Sequence, residues 1–449
     1  MDAMNSFAST ISDFLWNTIL IFLLCGTGVY FTLRLKFIQI RKFPQAFKAV
    51  FGNISLKGEK AGDSGMTSFQ SLATAIAAQV GTGNIAGAAT AIASGGPGAI
   101  FWMWLSAFFG MATIYGEASL AQKYKTTSNG KVIGGPVYYI TEAFKGSFGK
   151  FLAGLFSILI ILALGFFGNM VQSNSISDAF DTAFHTPKII VGVVVAIAAG
   201  FIFLGGVSRI ASVTEKIVPI MAALYILGSL IVVIMNISKL GTAFASIFVG
   251  AFNPSAIMGA GAGIAVKHAV RFGVARGLFS NEAGMGSTPH AHALAKVKHP
   301  CDQGLVAMMG VFIDTFVVLT MTALVIVITA DVHSYGATGV KLAQAAYNSA
   351  FGSFGNIFIA ICMLFFAFST IVGWYFFGEQ NVKYLFGEKA IKVYAAIVVV
   401  FVIVGSTLKV DLVWTLSDLF NGMMVIPNLL GLLVLSGVVV ALTKERFKD

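Results

Sequence analysis

The chain has 449 residues, 57% of them hydrophobic and 11% charged, with a formal net charge of +10. Soluble domains average about 45–50% apolar and about 25% charged residues, so this composition excludes an ordinary soluble chain and points to an integral membrane protein. The basic residues lie between apolar runs rather than in one patch, which argues against a nucleic-acid partner and fits the Lys/Arg enrichment of cytoplasmic loops.

Taken in chain order, the N-terminal "MDAMNSFAST" has no basic n-region and no A-x-A site, so no cleaved signal peptide is expected. About eleven membrane spans are expected, since runs of roughly 18 or more apolar residues cross a bilayer core. They fall near residues 13–33, 67–94, 98–122, 150–176, 188–206, 214–236, 256–280, 303–330, 355–380, 390–408 and 413–441. The stretch "RLKFIQIRKFPQAFKAV" after the first span reads as an interfacial amphipathic segment. Arg34, Lys36, Arg41 and Lys42 follow span one, Lys123 and Lys125 span three, and Arg209 and Lys216 span five. Arg276, Lys296 and Lys298 follow span seven, Lys383, Lys389 and Lys392 span nine, and Lys444, Arg446 and Lys448 close the chain. All fall on one side if the N-terminus is outside and the C-terminus is cytoplasmic. The opposite loops carry Asp178, Asp181, Asp331 and Asp411, with fewer lysines. A multi-pass protein of the cell membrane, in contact with lipid, is therefore expected. "HSYGATGVKLAQAAYNSAFGSFG", after the eighth span, reads as a loop holding a short helix over the outer face. Cys25, Cys301 and Cys362 are scattered, with no disulfide or metal spacing.

The second span contains "AAQVGTGNIAGAA". Gly81 and Gly83 each weaken a helix by about 1 kcal/mol, so the main chain can unwind there. Freed carbonyls suit a sodium ion, and the amides that open the following half-helix suit a carboxylate. Gln79, Thr82 and Asn84 add side-chain donors and acceptors at the same level, which a zwitterion needs. Packing of small residues is the competing reading; it accounts for Gly87, Ala88 and Ala89 but poorly for Gln79 and Asn84. Transporters of this kind often repeat the device in an inverted half, so the seventh span should also be broken. The break is expected near Phe272–Gly277, at Gly273 and Gly277, where Lys267, His268 and Arg271 intrude on the apolar run. Arg276 reads as snorkelling to the cytoplasmic interface. In span nine, "FFAFSTIVGWYFFGEQ" places Ser369 beside Thr370, with Trp374 one turn on and on the same face as Thr370. Their hydroxyls can complete an oxygen cage with the freed carbonyls, or simply bond the preceding turn.

The remaining polar residues read more plainly. "VGTGNIAG" lacks the strand and lysine of a phosphate loop. His290 and His292 read as an ordinary loop rather than a metal site, and Glu117 as a structural partner near the basic end of its span. Asp314, well inside its span, is open to a structural or a coupling role, and Glu282 to a gate ion pair with a Lys or Arg.

"VGTGNIAGAATAIASGGPGAIFWMWLSAFFGMATIYGEASLAQKY", "GGPVYYI", "RGLFSNEAGMGSTPHAHA" and the span-nine motif resemble the alanine/glycine:cation symporter family, also called the sodium:alanine symporter family, within the amino acid-polyamine-organocation superfamily. The resemblance covers roughly residues 60–445. It implies an all-α, leucine-transporter-like fold with a five-plus-five inverted repeat, an extra N-terminal helix, and discontinuous first and sixth core helices. The divisions would be 1–60 for the extra helix and basic segment, 61–240 for the first repeat and 241–449 for the second with the C-terminus. It implies Na⁺-coupled uptake of alanine or glycine by alternating access, no organic cofactor, no enzymatic activity and a functional monomer. Carried onto this sequence, "QVGTGN" makes Asn84 the asparagine shared by ion and substrate, with Ala77 and Val80 as carbonyl donors to Na⁺; Ser369 and Thr370 are its hydroxyl donors. Proton coupling is the alternative within the class. A channel, with its repeated polar rings, and a membrane-embedded hydrolase, with a nucleophile and matched His, are the alternatives outside it.

Overall fold

A computed structural model describes residues 2–52, 65–128, 130–253, 266–329 and 337–448. Among the described residues, eight helices are long and apolar enough to cross a membrane: α1 (Ser6–Arg34), α5 (Ala99–Lys123), α7 (Ser147–Phe184), α9 (Gly206–Met235), α13 (Pro300–Thr329), α15 (Phe354–Phe386), α16 (Glu388–Thr407) and α17 (Val410–Val434). Between them lie α2 (Phe43–Phe51), the interrupted α3 (Ser68–Gln79) and α4 (Ala88–Gly95), α6 (Pro136–Ala143), α8 (Lys188–Phe203), α10 (Ile237–Phe252), α11 (Val266–Asn281), α12 (Pro289–Leu294), α14 (Gly339–Phe351) and α18 (Ser436–Phe447). A small antiparallel hairpin pairs Thr126–Ser128 with Lys131–Ile133. The helix foreseen after the eighth span is α14.

Local chemistry explains several boundaries. Thr67 and Gln70 form a reciprocal capping box that starts α3. Pro136, Pro289 and Pro300 open α6, α12 and α13, where a missing N–H costs nothing. Of span seven, read as 256–280, the part from Val266 onward is helical as α11, and residues 254–265 lie outside the described ones. The last span, read as 413–441, divides at Leu435 into α17 and α18.

α15 is the most enclosed spanning helix, with 72% of its apolar window buried, while α1 and α16 have 28% each and lie at the periphery. α4 packs on α11, α5 on α13, α7 on α15 and α8 on α16. These pairings bring the two irregular segments of the chain, after α3 and after α11, together in the centre.

Candidate functional site

The first irregular segment is short. α3 ends at Gln79, Val80 leaves helical geometry (φ −81°, ψ 85°), and a wide π turn over Gly83–Gly87 leads into α4. Two amides are thereby freed from the helix ladder. The Gly81 amide donates to Asn84 Oδ1 at 3.0 Å and that of Thr82 to Gln172 Oε1 on α7 at 3.2 Å. The glycines are needed for close approach. A Cβ on Gly81 would stand 2.3 Å from Thr370 Oγ1, and one on Gly83 would stand 2.9 Å from Ser280 Cα.

The second break lies further along than the sequence suggested. α11 runs unbroken through Phe272, Gly273 and Gly277 to Asn281, so the expected break at Phe272–Gly277 is corrected. Gly273 and Gly277 serve packing against α5: a Cβ on Gly273 would meet Ala99 O at 2.5 Å, and one on Gly277 would meet Ser106 Oγ at 3.0 Å. Phe272 is only half-buried, beneath the Arg271 guanidinium. The chain leaves the helix at Glu282 (φ 58°), and Gly284 (φ 92°) and Gly286 (φ 78°) supply left-handed turns before α12 begins at Pro289.

Polar side chains knit the two breaks. Asn84 Nδ2 donates to Asp314 Oδ1 at 2.7 Å and to its main-chain oxygen at 3.1 Å. Ser280 Oγ donates to both Asp314 carboxylate oxygens at 3.0 and 3.1 Å, and Thr315 Oγ1 to one at 2.8 Å. Gln79 Nε2 reaches Asn281 O at 2.7 Å. Asp314 is thus the bridge between the breaks, and its side-chain partners among the described residues are uncharged. Around this junction Gln79 Oε1, Thr82 Oγ1 and Gln172 Nε2 are buried with no partner among the described residues. Buried polar atoms are nearly always paired, so these orphans are atoms a polar ligand could satisfy, with Gln79 Oε1 lying on the Gly310 side.

Thr370 and Ser369 lie on the α15 face that meets the first break. Thr370 Oγ1 is 2.9 Å from Ala77 O and 3.3 Å from Ala78 O; Ser369 Oγ is 3.3 Å from Ala77 O. Both also bond Phe366 O of their own helix, Ser369 at 2.9 Å and Thr370 at 3.0 Å, which is the preceding-turn bond expected of such a pair. Trp374, fully buried one turn on, donates Nε1 to Glu282 and stands edge-on to Phe279 at 5.4 Å. Gly168 leaves room for its ring, since a Cβ there would be 2.5 Å from Trp374 Cζ3.

Two charged residues, Glu282 and Arg276, differ from expectation, while Glu117 has the structural kind of environment expected of it. Among the described residues Glu282 is not paired with a Lys or Arg; its partners are Trp374 Nε1 and Ser287 Oγ. Glu117 is structural, but its partners are amides: Gly284 N and Gly286 N at 2.9 Å each and Asn428 Nδ2 at 2.7 Å. Arg276 does not snorkel. It is buried, forms a two-pronged pair with Asp418 at 2.7 and 2.8 Å, and lies 4.4 Å over the Trp414 ring. His290 and His292, read as loop residues, are buried in α12; His290 contacts Asn381 at 2.9 Å and His292 contacts Gln303 at 2.8 Å. Gln172 escaped the sequence reading altogether. Its signal was the polar run "NMVQSNS" inside an apolar span.

On the α12 side the breaks are latched together. Met66 pairs with Ala295 in a parallel bridge, and Ser71 Oγ donates to Ala291 O at 2.9 Å.

A family profile described as "Sodium:alanine symporter family" matches residues 1–449. The chain is 45% identical over 444 residues to the sodium/alanine symporter AgcS of Methanococcus maripaludis, covering 98% of this chain and 96% of the relative. It is 41% identical over 451 residues to the amino-acid carrier protein AlsT of Bacillus subtilis, covering 99% and 92%. Among solved structures it resembles MhsT in complex with L-phenylalanine, with a TM-score of 0.58 at 15% identity, covering 86% of this chain and 99% of that one; the likeness is one of fold.

Proposed function

The chain belongs to the sodium:alanine symporter family, a family of membrane transporters rather than enzymes, and from that premise we propose that it takes up alanine and glycine with Na⁺ by alternating access. The observation that carries the reading is the meeting of two main-chain breaks around orphaned polar atoms.

In this scheme the Na⁺ sits between α3 and α15, held by the carbonyls of Ala77 and Val80 and the hydroxyls of Ser369 and Thr370. The hydroxyl protons that now point at Ala77 O turn aside, and their lone pairs face the ion. The ion ties α3 to α15 and so organises the first break. The amino acid carboxylate takes the amides of Gly81, Thr82 and Gly83, displacing the side-chain oxygens of Asn84 and Gln172. Gln79 Oε1 and Thr82 Oγ1 accept from the ammonium, and Trp374 and Phe279 close the space against larger side chains.

The arrangement as two inverted halves, 61–240 and 241–449 after an extra segment 1–60, is supported by the pairing of α4 with α11, α5 with α13, α7 with α15 and α8 with α16. Eleven spans follow if α3–α4, α8 and α11–α12 are counted with the eight long helices. Without Arg276, which is buried inside α11, the Lys/Arg distribution still supports an external N-terminus and a cytoplasmic C-terminus. Asp13 pairs with Arg271 at the start of α11, and Arg446 pairs with Asp302 at the start of α13, which agrees with termini on opposite faces. Both breaks come from one chain, so a monomer suffices.

A second reading, proton coupling, is favoured by one observation: the buried Asp314 carboxylate bridges the breaks with uncharged partners. Radiolabelled alanine uptake into proteoliposomes tests both. An inward Na⁺ gradient should drive accumulation at symmetric pH. Equal accumulation without the gradient refutes Na⁺ coupling, and pH-driven uptake abolished in Asp314→Asn establishes the alternative.

A further inference from the structure

The transport scheme makes no use of α1, yet that helix bonds to both helices that carry the Arg276–Asp418 pair, α11 through Arg271 and α17 through Asp418. Asp13 forms an ion pair with Arg271, on α11 and five residues before Arg276. Trp16, one turn further along α1 and buried, donates Nε1 to the main-chain oxygen of Asp418 at 3.2 Å. Gly422, one turn past Asp418, leaves no space between the helices: a Cβ there would be 2.7 Å from Leu20 Cδ1 and 3.4 Å from Trp16 Nε1. Further along α1, Leu24 stays close to the second break, since a Cβ on Gly284 would stand 3.1 Å from its Cδ2. Leu24 and Cys25 of α1 face Leu278, Asn281 and Ala283 across a cavity of about 20 Å³. α1 therefore holds α11 through the Asp13–Arg271 link near the start of both helices.

The gripped region leads to the site. The Arg276 guanidinium covers Trp414, Trp414 lies 4.8 Å from Phe279, and Phe279 meets Trp374. We propose that α1 is a strut of the outer closure, with Asp13 and Trp16 as positioning residues that hold α11 and α17 together around Arg276–Asp418 when that side is shut. The proposal rests on the alternating-access reading but not on the identity of the cargo. Any outward opening that parts α11 from α17 must stretch the Asp13–Arg271 link, the Trp16–Asp418 link, or both. Asp13 is half exposed, so its link shifts the balance of closed and open forms rather than setting it.

The test reads closure directly. In intact cells expressing the full chain with its three cysteines replaced by alanine, Asn421→Cys places a reporter thiol one turn beyond Asp418. A membrane-impermeant thiol reagent is added outside, and the labelling rate is scored per folded molecule at the surface. Asp13→Asn and Arg271→Gln should each speed labelling by about 1.5- to 5-fold, the range expected for a weak exposed link, and Trp16→Phe by about 2- to 10-fold, the range of one lost hydrogen bond. The double variant Asp13→Asn/Arg271→Gln should exceed neither single variant by more than the error, because one link is broken either way. Unchanged rates in all three single variants, or additive effects in the double, overturn the strut. Faster labelling in a protein that accumulates no alanine sustains the strut and removes the cargo reading instead.

Discussion

Replacing Glu117 with glutamine takes one acceptor from a group that serves three donors. Its carboxylate receives Gly284 N on Oε2, and Gly286 N together with Asn428 Nδ2 on Oε1. A glutamine can turn its single oxygen towards Gly286 and Asn428, but its NH₂ then faces the Gly284 N–H, donor against donor. A hydrogen bond to a charged group contributes about 1.5–3 kcal/mol, and a buried amide left unpaired costs about 1–3 kcal/mol. The neutral side chain recovers part of this because no charge has to be buried. A net loss of about 2 kcal/mol remains, which raises local opening of the Glu282–Thr288 segment about 30-fold. The expected outcome is a lower apparent unfolding temperature in detergent and weaker alanine uptake in proteoliposomes, with Glu117→Ala more severe because all three donors lose their partner. A glutamine variant with both wild-type stability and wild-type uptake would show that the carboxylate does not hold this segment.

Thr370→Val keeps the side-chain shape but removes the hydroxyl that meets Ala77 O; the Na⁺ concentration for half-maximal uptake should rise about tenfold, corresponding to about 1.4 kcal/mol, and an unchanged sodium dependence counts against the ion position. Gly83→Ala drives a methyl group to 2.9 Å from Ser280 Cα, overpacking that costs about 1–3 kcal/mol and should abolish alanine binding in a protein that still reaches the membrane; normal binding by calorimetry contradicts the close apposition of the two breaks. Trp374→Ala should admit larger neutral amino acids such as valine in competition uptake, with a lowered unfolding temperature because a fully buried indole is lost. A substrate range identical to wild type removes Trp374 from the pocket wall.

Much of the site was legible in the chain because polar groups and glycines are conspicuous in an apolar span. "QVGTGN" declared the first break, and Ser369–Thr370 stood out in an aromatic helix for the same reason. The second break was misplaced because "NEAGMGSTPHAHA" carries the composition of an exposed loop, whereas tertiary packing buries it entirely. Burial depends on what lies opposite, and the opposite wall is supplied by α5, α15 and α17, distant in sequence. Arg276 illustrates the same point: an arginine near a presumed interface has an obvious solvent reading until Asp418, 142 residues later, is brought beside it.

By itself the sequence settled those properties that depend on each residue's own affinity for water or oil: a helical membrane protein, the approximate positions of its apolar spans, and a polar interruption in the second. Which polar groups meet was decided only by tertiary structure. Gln172 finds Thr82 across 90 residues and Glu117 finds Asn428 across 311, pairings with no periodicity or spacing to betray them. A hydrogen bond forms only within about 3 Å, and that proximity is set by how the helices pack.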